Sequence, residues 1–343
     1  MWHVIMWIKT ELENYKLTEE KGEGLCQLKN QSIRQLLEAK EFIWAPCIYD
    51  CVSARVVEKC GYNACLISSC ELEFAMNGIP AGLYNWEEYI WATERIAGST
   101  TLPVIVDGEN GGGTPLAVYR NCKRLAEAGA MAISIEDTLS GAVAVDYFYG
   151  HGRGYMDREL WAANVHAAVD AVKGTDCMII ARTDCKGGGA AQTGAIADNP
   201  FCLGLEEAIL RAKMGVEAGA EITMIQNICH AGCEEECRRI AREVPGYHFY
   251  PDVHATDGVP DATLEQMEEW GFQLVSNHAA MKGATKGMME YFSENFKNKN
   301  TVYTENDEFY DMGHIFTPFE MEDWIERDKK YVTYEAELRE KNK

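Results

Sequence analysis

Two carboxylates follow a short apolar run in the sequence LPVIVDGENGGG, at residues 102–113. Asp107 and Glu109 are two residues apart, a spacing that places side chains on the same side of an extended strand. Carboxylates held close together repel each other unless a cation lies between them. Mg²⁺ prefers oxygen ligands of this kind, and Mn²⁺ accepts the same ligands. The stretch therefore predicts a metal site, with a solvated acidic turn as the alternative.

The elements that would position these carboxylates alternate regularly along the chain. An amphipathic helix begins at Ser32, and apolar runs then alternate with helical stretches. Strands are predicted at residues 42–49, 64–69, 102–107, 131–136, 178–183, 221–226, 247–252 and 272–277. Helices are predicted, among others, at 86–97, 115–128, 157–172, 205–218, 234–243 and 263–270. Eight strands that alternate with helices predict an α/β fold, a (β/α)8 TIM barrel. A doubly wound sheet is the alternative, but no GxGxxG sequence follows the first strand.

The barrel is predicted to occupy residues 31–295 as one catalytic domain. Residues 1–30 show no clear period and are interpreted as an N-terminal leader. Residues 296–343 are rich in charge and are predicted to form a C-terminal helical extension.

Composition excludes several classes of partner. The formal net charge of −22 argues against nucleic acid and anionic membranes, since both require basic patches. The apolar runs are shorter than a transmembrane helix needs. A small anionic carboxylate substrate stays possible, because it requires only local positive charge. The 13 cysteines form no CxxC pair and lie singly in apolar runs, which indicates reduced thiols and a cytoplasmic location.

Polar residues lie at the predicted carboxyl ends of six of the eight strands. In a TIM barrel the active site lies at the carboxyl ends of the strands. The residues concerned are Asp107 and Glu109, Glu136 and Asp137, Arg182 and Asp184, Gln226 and Asn227, Asp252 and His254, and Asn277 and His278. The pattern predicts a catalytic mouth, with a merely solvated rim as the alternative.

The charges of these residues suggest a separate role for each. Asp107, Glu109 and Glu136 would hold Mg²⁺, which would polarise a 2-oxo or 2-hydroxy oxygen and stabilise a developing enolate. Arg182 would bind a substrate carboxylate through two parallel hydrogen bonds. The alternative for Arg182 is a structural salt bridge to Asp184 or Glu136.

Five segments together resemble the isocitrate lyase/phosphoenolpyruvate mutase superfamily. They are LLEAKEFIWAPCIYDCVSARVVEKCGYNACLISS, NGIPAG, LPVIVDGENGGG, AISIED and IIARTD, and the similarity extends from residue 32 to residue 292. The resemblance implies a Mg²⁺-dependent barrel enzyme that forms a homotetramer with an exchanged C-terminal helix. It also implies reactions that make or break C–C or C–P bonds next to a 2-oxo or 2-hydroxy acid, through an enolate.

The resemblance also implies roles by position. Asp107, Glu109 and Glu136 match the acids that bind the metal, and Arg182 matches the arginine that binds carboxylate. The implied substrate-binding positions are Tyr49, Ser69, Cys70, Asp107, Arg182, Gln226 and Asp252. Among these, the backbone amides of Ser69 and Cys70 would grip the oxo acid. Gln226 and Asp252 replace a glutamate and an asparagine that are common in the superfamily.

The chain departs from the superfamily in its proton-transfer residues. Lyases carry a cysteine general acid before a Gly-His pair, whereas this loop reads YFYGH, with Tyr149 in that place and His151 retained. A phenol has an ordinary pKa of about 10 and would act mainly as a general acid. Tyr149, His151 and Arg182 are thus the predicted catalytic residues; the alternative for Tyr149 is an aromatic lid. Mutases and phosphonopyruvate hydrolases keep an aspartate where this chain has Ala81.

The leading hypothesis is therefore a Mg²⁺-dependent lyase that cleaves a C–C bond of a small 2-hydroxy or 2-oxo di- or tricarboxylate. The first alternative is phosphonopyruvate mutase or hydrolase chemistry, against which Ala81 argues. The second is a homologue that binds carboxylates but has lost its acid–base residues.

Overall fold

The computed structural model describes residues 31–78, 82–139, 154–187, 202–228, 232–253, 255–256, 259–260, 262–305 and 321–342. The predicted leader at 1–30 lies outside these residues. So do Ala81, Tyr149, His151 and His254, which carried sequence-based predictions.

Eight parallel strands form a closed barrel. They are β1 (Ile43–Ile48), β2 (Cys65–Ile67), β3 (Val104–Asp107), β4 (Ala130–Ile135), β5 (Met178–Thr183), β6 (Ile222–Ile225), β7 (Tyr247–Tyr250) and β10 (Leu274–Asn277). Strands β1 to β7 pair in chain order, β10 pairs with β7, and β1 closes the barrel against β10. Between β7 and β10, β8 (Ala255–Thr256) and β9 (Val259–Pro260) form a short antiparallel ribbon. The predicted TIM barrel is confirmed, and the open sheet is wrong.

Helices connect the strands and surround them. Up to β6 they are α1 (Ile33–Glu38), α2 (Cys51–Lys59), α3 (Ser69–Asn77), α4 (Trp86–Ala97), α5 (Pro115–Glu127), α6 (Arg158–Val172) and α7 (Gly204–Glu217). After β6 follow α8 (Glu234–Glu243), α9 (Leu264–Glu269), α10 (Ala280–Asn298), α11 (Val302–Glu305) and α12 (Met321–Lys341).

The barrel interior is filled by small and branched apolar side chains. One cluster joins residues from the strands with the buried face of α1, where Ile33, Leu36 and Leu37 are at most 4% exposed. Ser32 and Gln35 close the start of α1 with a reciprocal capping box. Strands buried on both faces explain the near-continuous apolar runs of the sequence. The helix α1 thus adds its apolar face to the core, while the polar carboxyl ends of the strands meet at one mouth.

The turn after β3 depends on glycine. Gly108 approaches β4 so closely that a Cβ atom would lie 2.6 Å from the Ser134 carbonyl oxygen. Gly111 has a φ of 69°, in the left-handed region, and a Cβ there would lie 2.7 Å from Val118. The glycine run is therefore a tight turn that leads into α5.

The C-terminal helices present apolar side chains at the surface of the single chain. No residue of α10 is buried; Phe292 and Phe296 are 69% and 87% exposed. In α12, Trp324 is 67% exposed. Within the described part of the chain, no helix is both long enough and apolar enough to cross a bilayer.

Candidate active site

Asp107 is held at the end of β3 by neighbours from three other elements. Its carboxylate accepts hydrogen bonds from the Ser69 hydroxyl at 3.1 Å and from the Ser134 hydroxyl at 3.2 Å. Its backbone carbonyl accepts a 2.5 Å hydrogen bond from the buried Tyr89 hydroxyl. These contacts fix the carboxylate in one orientation towards the barrel mouth.

Glu109 reaches the site by a route that strand alternation does not describe. The strand ends at Asp107, as predicted, and Glu109 has a φ of 50°, so the alternation of an extended strand does not set the direction of its side chain. The Glu109 carbonyl instead accepts a hydrogen bond from the Glu136 amide at 2.9 Å. This bond ties the turn after β3 to the end of β4 and brings the two glutamates together, with Glu109 only 4% exposed.

Arg182, on β5, contacts three carboxylates. Its Nε and Nη2 donate to the two oxygens of Asp184 at 2.8 and 2.9 Å, a bidentate pair. Its Nη1 donates to Asp107 at 3.1 and 3.2 Å. Its Nη2 also lies 3.1 Å from Glu136 Oε2. Arg182 therefore forms the salt bridges to Asp184 and Glu136 that the sequence left as an alternative, and it does so directly beside Asp107.

The cluster holds more negative than positive charge. Burial and repulsion from Glu136 and Asp107 raise the pKa of Glu109 well above its ordinary value. Burial raises the pKa of Glu136 to about 8; Arg182 opposes that rise, while Asp184 adds to it. A buried carboxylate behaves in this way when the positive charge nearby does not balance it.

The donor set fits a hard divalent cation. The Oε2 atom of Glu136 is buried and has Arg182 Nη2 3.1 Å away as an ion-pair partner, but no donor reaches it with the geometry of a hydrogen bond. The other carboxylate oxygen, Oε1, accepts a hydrogen bond from the Thr138 hydroxyl. Glu136, Asp107 and Glu109 offer only oxygen ligands, which suit Mg²⁺ or Mn²⁺. Two added positive charges would offset the excess that keeps the glutamate pKa values high.

Asp137 differs from its neighbour Glu136, although both follow β4. It accepts hydrogen bonds from the Thr183 hydroxyl at 2.6 Å, the Asp184 amide at 2.9 Å and Arg211 Nη1 at 3.1 Å. Asp137 is fully buried. It connects β5 to α7 and so fixes the segment that carries Arg182.

The N-terminus of α3 faces Asp107. Ser68 caps this helix, and its side chain accepts from the Glu71 amide. Ser69 and Cys70 therefore occupy the first turn, where backbone N–H groups have no acceptor within the helix. Such amides and the helix dipole favour an anion. Burial raises the pKa of the Cys70 thiol to about 11, so this side chain is neutral.

One protein family matches the whole of the barrel. The phosphoenolpyruvate phosphomutase family matches residues 33–296, which include every barrel strand. The chain belongs to this family. It is thus a member of the isocitrate lyase/phosphoenolpyruvate mutase superfamily, as its sequence segments indicated.

Individual relatives match across most of their length. The petal death protein of Dianthus caryophyllus is 29% identical over 310 residues, 89% of this chain and 90% of that protein. The 2-methylisocitrate lyase of Aeropyrum pernix is 28% identical over 289 residues, 82% and 85% of the two chains. A solved structure of phosphonopyruvate hydrolase with oxalate and Mg²⁺ superposes with a TM-score of 0.72 at 20% identity, covering 89% and 99%.

The remaining predicted substrate-binding residues of this family member lie around the same mouth. Tyr49 follows β1, and its pKa is raised by burial and by Asp50. Asp50 itself caps α2 by accepting from the Ser53 amide at 2.7 Å. Gln226 follows β6 and is 7% exposed, and its amide donates to the Thr183 carbonyl at 2.9 Å.

Asp252 joins a second group of residues that the sequence analysis did not bring together. It follows β7 and lies 3.5 Å from His278 Nε2. Cys47 at the end of β1 and Glu71 on α3 complete the group around His278. Cys47 resembles an ordinary core cysteine and Glu71 an ordinary helical acid, so only the closure of β1 against β10 reveals the cluster.

Proposed function

We propose that the protein is a Mg²⁺-dependent lyase that cleaves a C–C bond of a small 2-hydroxy or 2-oxo di- or tricarboxylate through an enolate. The observation that carries this proposal is the buried cluster of Asp107, Glu109 and Glu136 around Arg182. Its excess negative charge lies opposite the amides of α3, so a cation and an anionic substrate would complete it.

The residues of the mouth would bind and orient the substrate. The first-turn amides of α3, at Ser69 and Cys70, would bind the oxo-acid end. Arg182 would keep its bidentate pair with Asp184 and turn Nη1 from Asp107 towards the substrate carboxylate. Bound Mg²⁺ would supply a Lewis acid that stabilises negative charge on the 2-oxygen as the bond breaks. Asp107, Glu109 and Glu136 are the residues that would hold it.

Proton delivery is assigned to residues 147–151, which lie outside the described residues. Tyr149 is the proposed proton donor. It directly precedes the retained Gly-His pair, which ends in His151. Phe in place of Tyr149 should lower turnover at least about 100-fold, because general acid catalysis contributes at least that much. Unchanged turnover would leave Tyr149 as an aromatic lid.

The relatives support the substrate class. One acts, by its name, on 2-methylisocitrate. A phosphonopyruvate hydrolase of similar fold was solved in complex with oxalate, a dicarboxylate, and Mg²⁺. The free thiols of the described residues fit a reducing compartment such as the cytoplasm. A homotetramer is proposed from the resemblance alone.

The test is an NMR time course, recorded for ¹H and ³¹P, on the full-length protein with Mg²⁺. Isocitrate, 2-methylisocitrate, substituted malates, oxaloacetate and phosphonopyruvate are supplied, and a parallel sample contains EDTA. Asp107→Asn serves as the matched variant, since it removes one charge and keeps the shape of the side chain.

The proposal expects loss of one hydroxy acid, with a 2-oxo acid and a second carboxylate appearing in equal amounts. That loss should cease with EDTA and in Asp107→Asn. Release of phosphate or rearrangement of phosphonopyruvate would overturn the C–C assignment in favour of C–P chemistry. Full activity of Asp107→Asn, or activity that EDTA leaves unchanged, would overturn the metal assignment.

A further inference from the structure

A cysteine, an aspartate and a histidine converge at the ends of β1, β7 and β10, beside the Mg²⁺-type cluster. Cys47 Sγ, Asp252 Oδ1 and His278 Nε2 are contributed by three neighbouring strands or the residues that follow them. Their ligand atoms all lie within 4.8 Å of one another. The barrel itself therefore builds a three-ligand group from residues distant in sequence.

Two distances within this group are close to the edges of a metal tetrahedron. His278 Nε2 lies 3.8 Å from Cys47 Sγ and 3.5 Å from Asp252 Oδ1. The Cys47–His278 distance is in the range of a weak hydrogen bond to sulfur, whereas the His278–Asp252 distance exceeds that of an N–H···O hydrogen bond, about 2.7–3.2 Å. Zn²⁺ in tetrahedral geometry, with ligands at about 2.0–2.3 Å, separates those ligands by about 3.3–3.8 Å.

Glu71 orients the imidazole of His278. Its Oε1 lies 3.0 Å from His278 Nδ1, so the carboxylate accepts that proton and leaves Nε2 facing Cys47 and Asp252. Metal-binding histidines are usually oriented by a carboxylate in this way. Glu71 is only 4% exposed, and its Oε2 is buried with no hydrogen-bond partner. A buried carboxylate with a vacant acceptor is costly unless positive charge is near.

We propose that Cys47, Asp252 and His278 form a second metal site that prefers Zn²⁺ or a similar transition metal, with one coordination position open to the barrel mouth. Three protein ligands and one open position are typical of catalytic rather than structural zinc sites. The side chain of Cys47 is buried, while those of Asp252 and His278 are 16% and 35% exposed, which leaves the ion a way in.

The two sites should select different ions. A thiolate and an imidazole favour borderline-soft metals, whereas the site around Asp107 offers only hard oxygens. Binding at the second site would release the Cys47 thiol proton to solvent, because the thiolate is the ligand. The inference does not depend on the proposed lyase activity.

The test uses Co²⁺ as a spectroscopic probe for Zn²⁺, with the full-length chain stripped by a chelator and then held in excess Mg²⁺. A thiolate ligand gives Co²⁺ a near-ultraviolet charge-transfer band, which oxygen ligands alone do not give. The wild type should show this band at one Co²⁺ per chain, and added Zn²⁺ should abolish it.

Matched variants locate the metal. Cys47→Ala and Asp252→Asn should lose the stoichiometric band, and Glu71→Gln should weaken Co²⁺ binding about 10–100-fold. Cys65→Ala, which changes another buried strand cysteine, should keep the band, as should Asp107→Asn. Circular dichroism checks that each variant folds. If Cys47→Ala does not fold, Asp252→Asn alone tests the site.

Two results would overturn the second site. One is a wild type with no thiolate band, which would leave His278 as an ion-pair partner of Glu71 and Asp252. The other is a band that survives Cys47→Ala or Asp252→Asn, which would place the metal at other thiols.

Discussion

At the scale of residues, Arg182 is the positive charge on which the buried acids of the mouth depend. It contacts Asp107, Glu136 and Asp184, and its side chain is only 12% exposed. Arg34 makes a similar two-point contact with Glu221, at 2.5 and 2.6 Å, but those side chains are 31% and 43% exposed. Burial, rather than hydrogen-bond geometry, should decide which arginine contributes more to the free energy of unfolding.

We expect Arg182→Gln to lower the free energy of unfolding by about 3–5 kcal/mol, because it leaves buried carboxylates without their partner. Arg34→Gln, the matched surface change, should cost about 0–1 kcal/mol. Urea unfolding in EDTA at pH 7.5 measures both. Equal losses for the two variants would contradict the role assigned to burial.

His248 gives a pH dependence that is separate from the mouth. It is 3% exposed, and burial lowers its pKa from 6.5 to about 4. Below about pH 6.5 the imidazole of His248 is protonated in the unfolded chain, whereas in the folded chain it stays neutral down to about pH 4. The free energy of unfolding therefore decreases as the pH falls from 6.5 to 4.

We expect the wild type to lose up to about 3 kcal/mol more than His248→Gln between pH 7 and pH 4, at about 1.4 kcal/mol per pH unit of pKa shift. Unfolding curves at each pH measure the difference. Parallel pH profiles for the two proteins would show that His248 is not held neutral by the fold.

At the scale of elements, the end of β3 and the turn after it position the site. Gly108 lets this turn pass against β4, where its Cβ would also lie 2.8 Å from Ile133 Cγ2. The hydrogen bond from the Gly108 amide to the Ser134 carbonyl, 3.0 Å long, fixes the same approach. A small displacement here would move Asp107 and Glu109 together.

Gly108→Ala should destabilise the protein by about 1–3 kcal/mol, as other overpacked sites do, and should weaken Mg²⁺ binding. Gly283→Ala is the control, because a Cβ at that helical position meets nothing within 4 Å. It should be neutral or stabilising by up to about 1 kcal/mol. Thermal unfolding and a Mg²⁺ titration compare the two variants. Equal stability and equal Mg²⁺ affinity would mean that the turn accommodates a Cβ atom at residue 108.

The elements were predictable because their signals are local. Every barrel strand overlaps its predicted stretch, and α4 and α8 have the predicted bounds. The left-handed backbone of Glu109, beyond the predicted end of the strand, was not predictable, since a φ of 50° there depends on the approach of β4. The group around His278 was missed because Cys47 and His278 are 231 residues apart and meet only through barrel closure.

At the scale of the whole molecule, the exposed apolar side chains of α10 point to assembly. Phe292 and Phe296 are four residues apart and lie on one face of the helix. Neighbouring exposed apolar residues of this size are typical of an interface. They agree with the proposed homo-oligomer, in which α10 would contact another copy of the chain.

Phe292→Glu combined with Phe296→Glu should reduce the assembly to a smaller species, because the charges would be buried at the contact. Leu116→Glu is the control, a single leucine on α5 that is 85% exposed. Size-exclusion chromatography with light scattering gives the mass of each. A wild type that is monomeric would contradict the proposal.

Asp107 and its neighbouring acids are expected to bind a divalent cation. The most direct measurement is Mn²⁺ binding followed by the electron paramagnetic resonance of free Mn²⁺, with oxalate present as a planar dicarboxylate. Asp107→Asn is compared with Asp252→Asn, the same chemical change at the other cluster. We predict one bound Mn²⁺ per chain in the wild type and in Asp252→Asn, and loss of that binding in Asp107→Asn. Undiminished Mn²⁺ binding by Asp107→Asn would show that this carboxylate does not hold the cation.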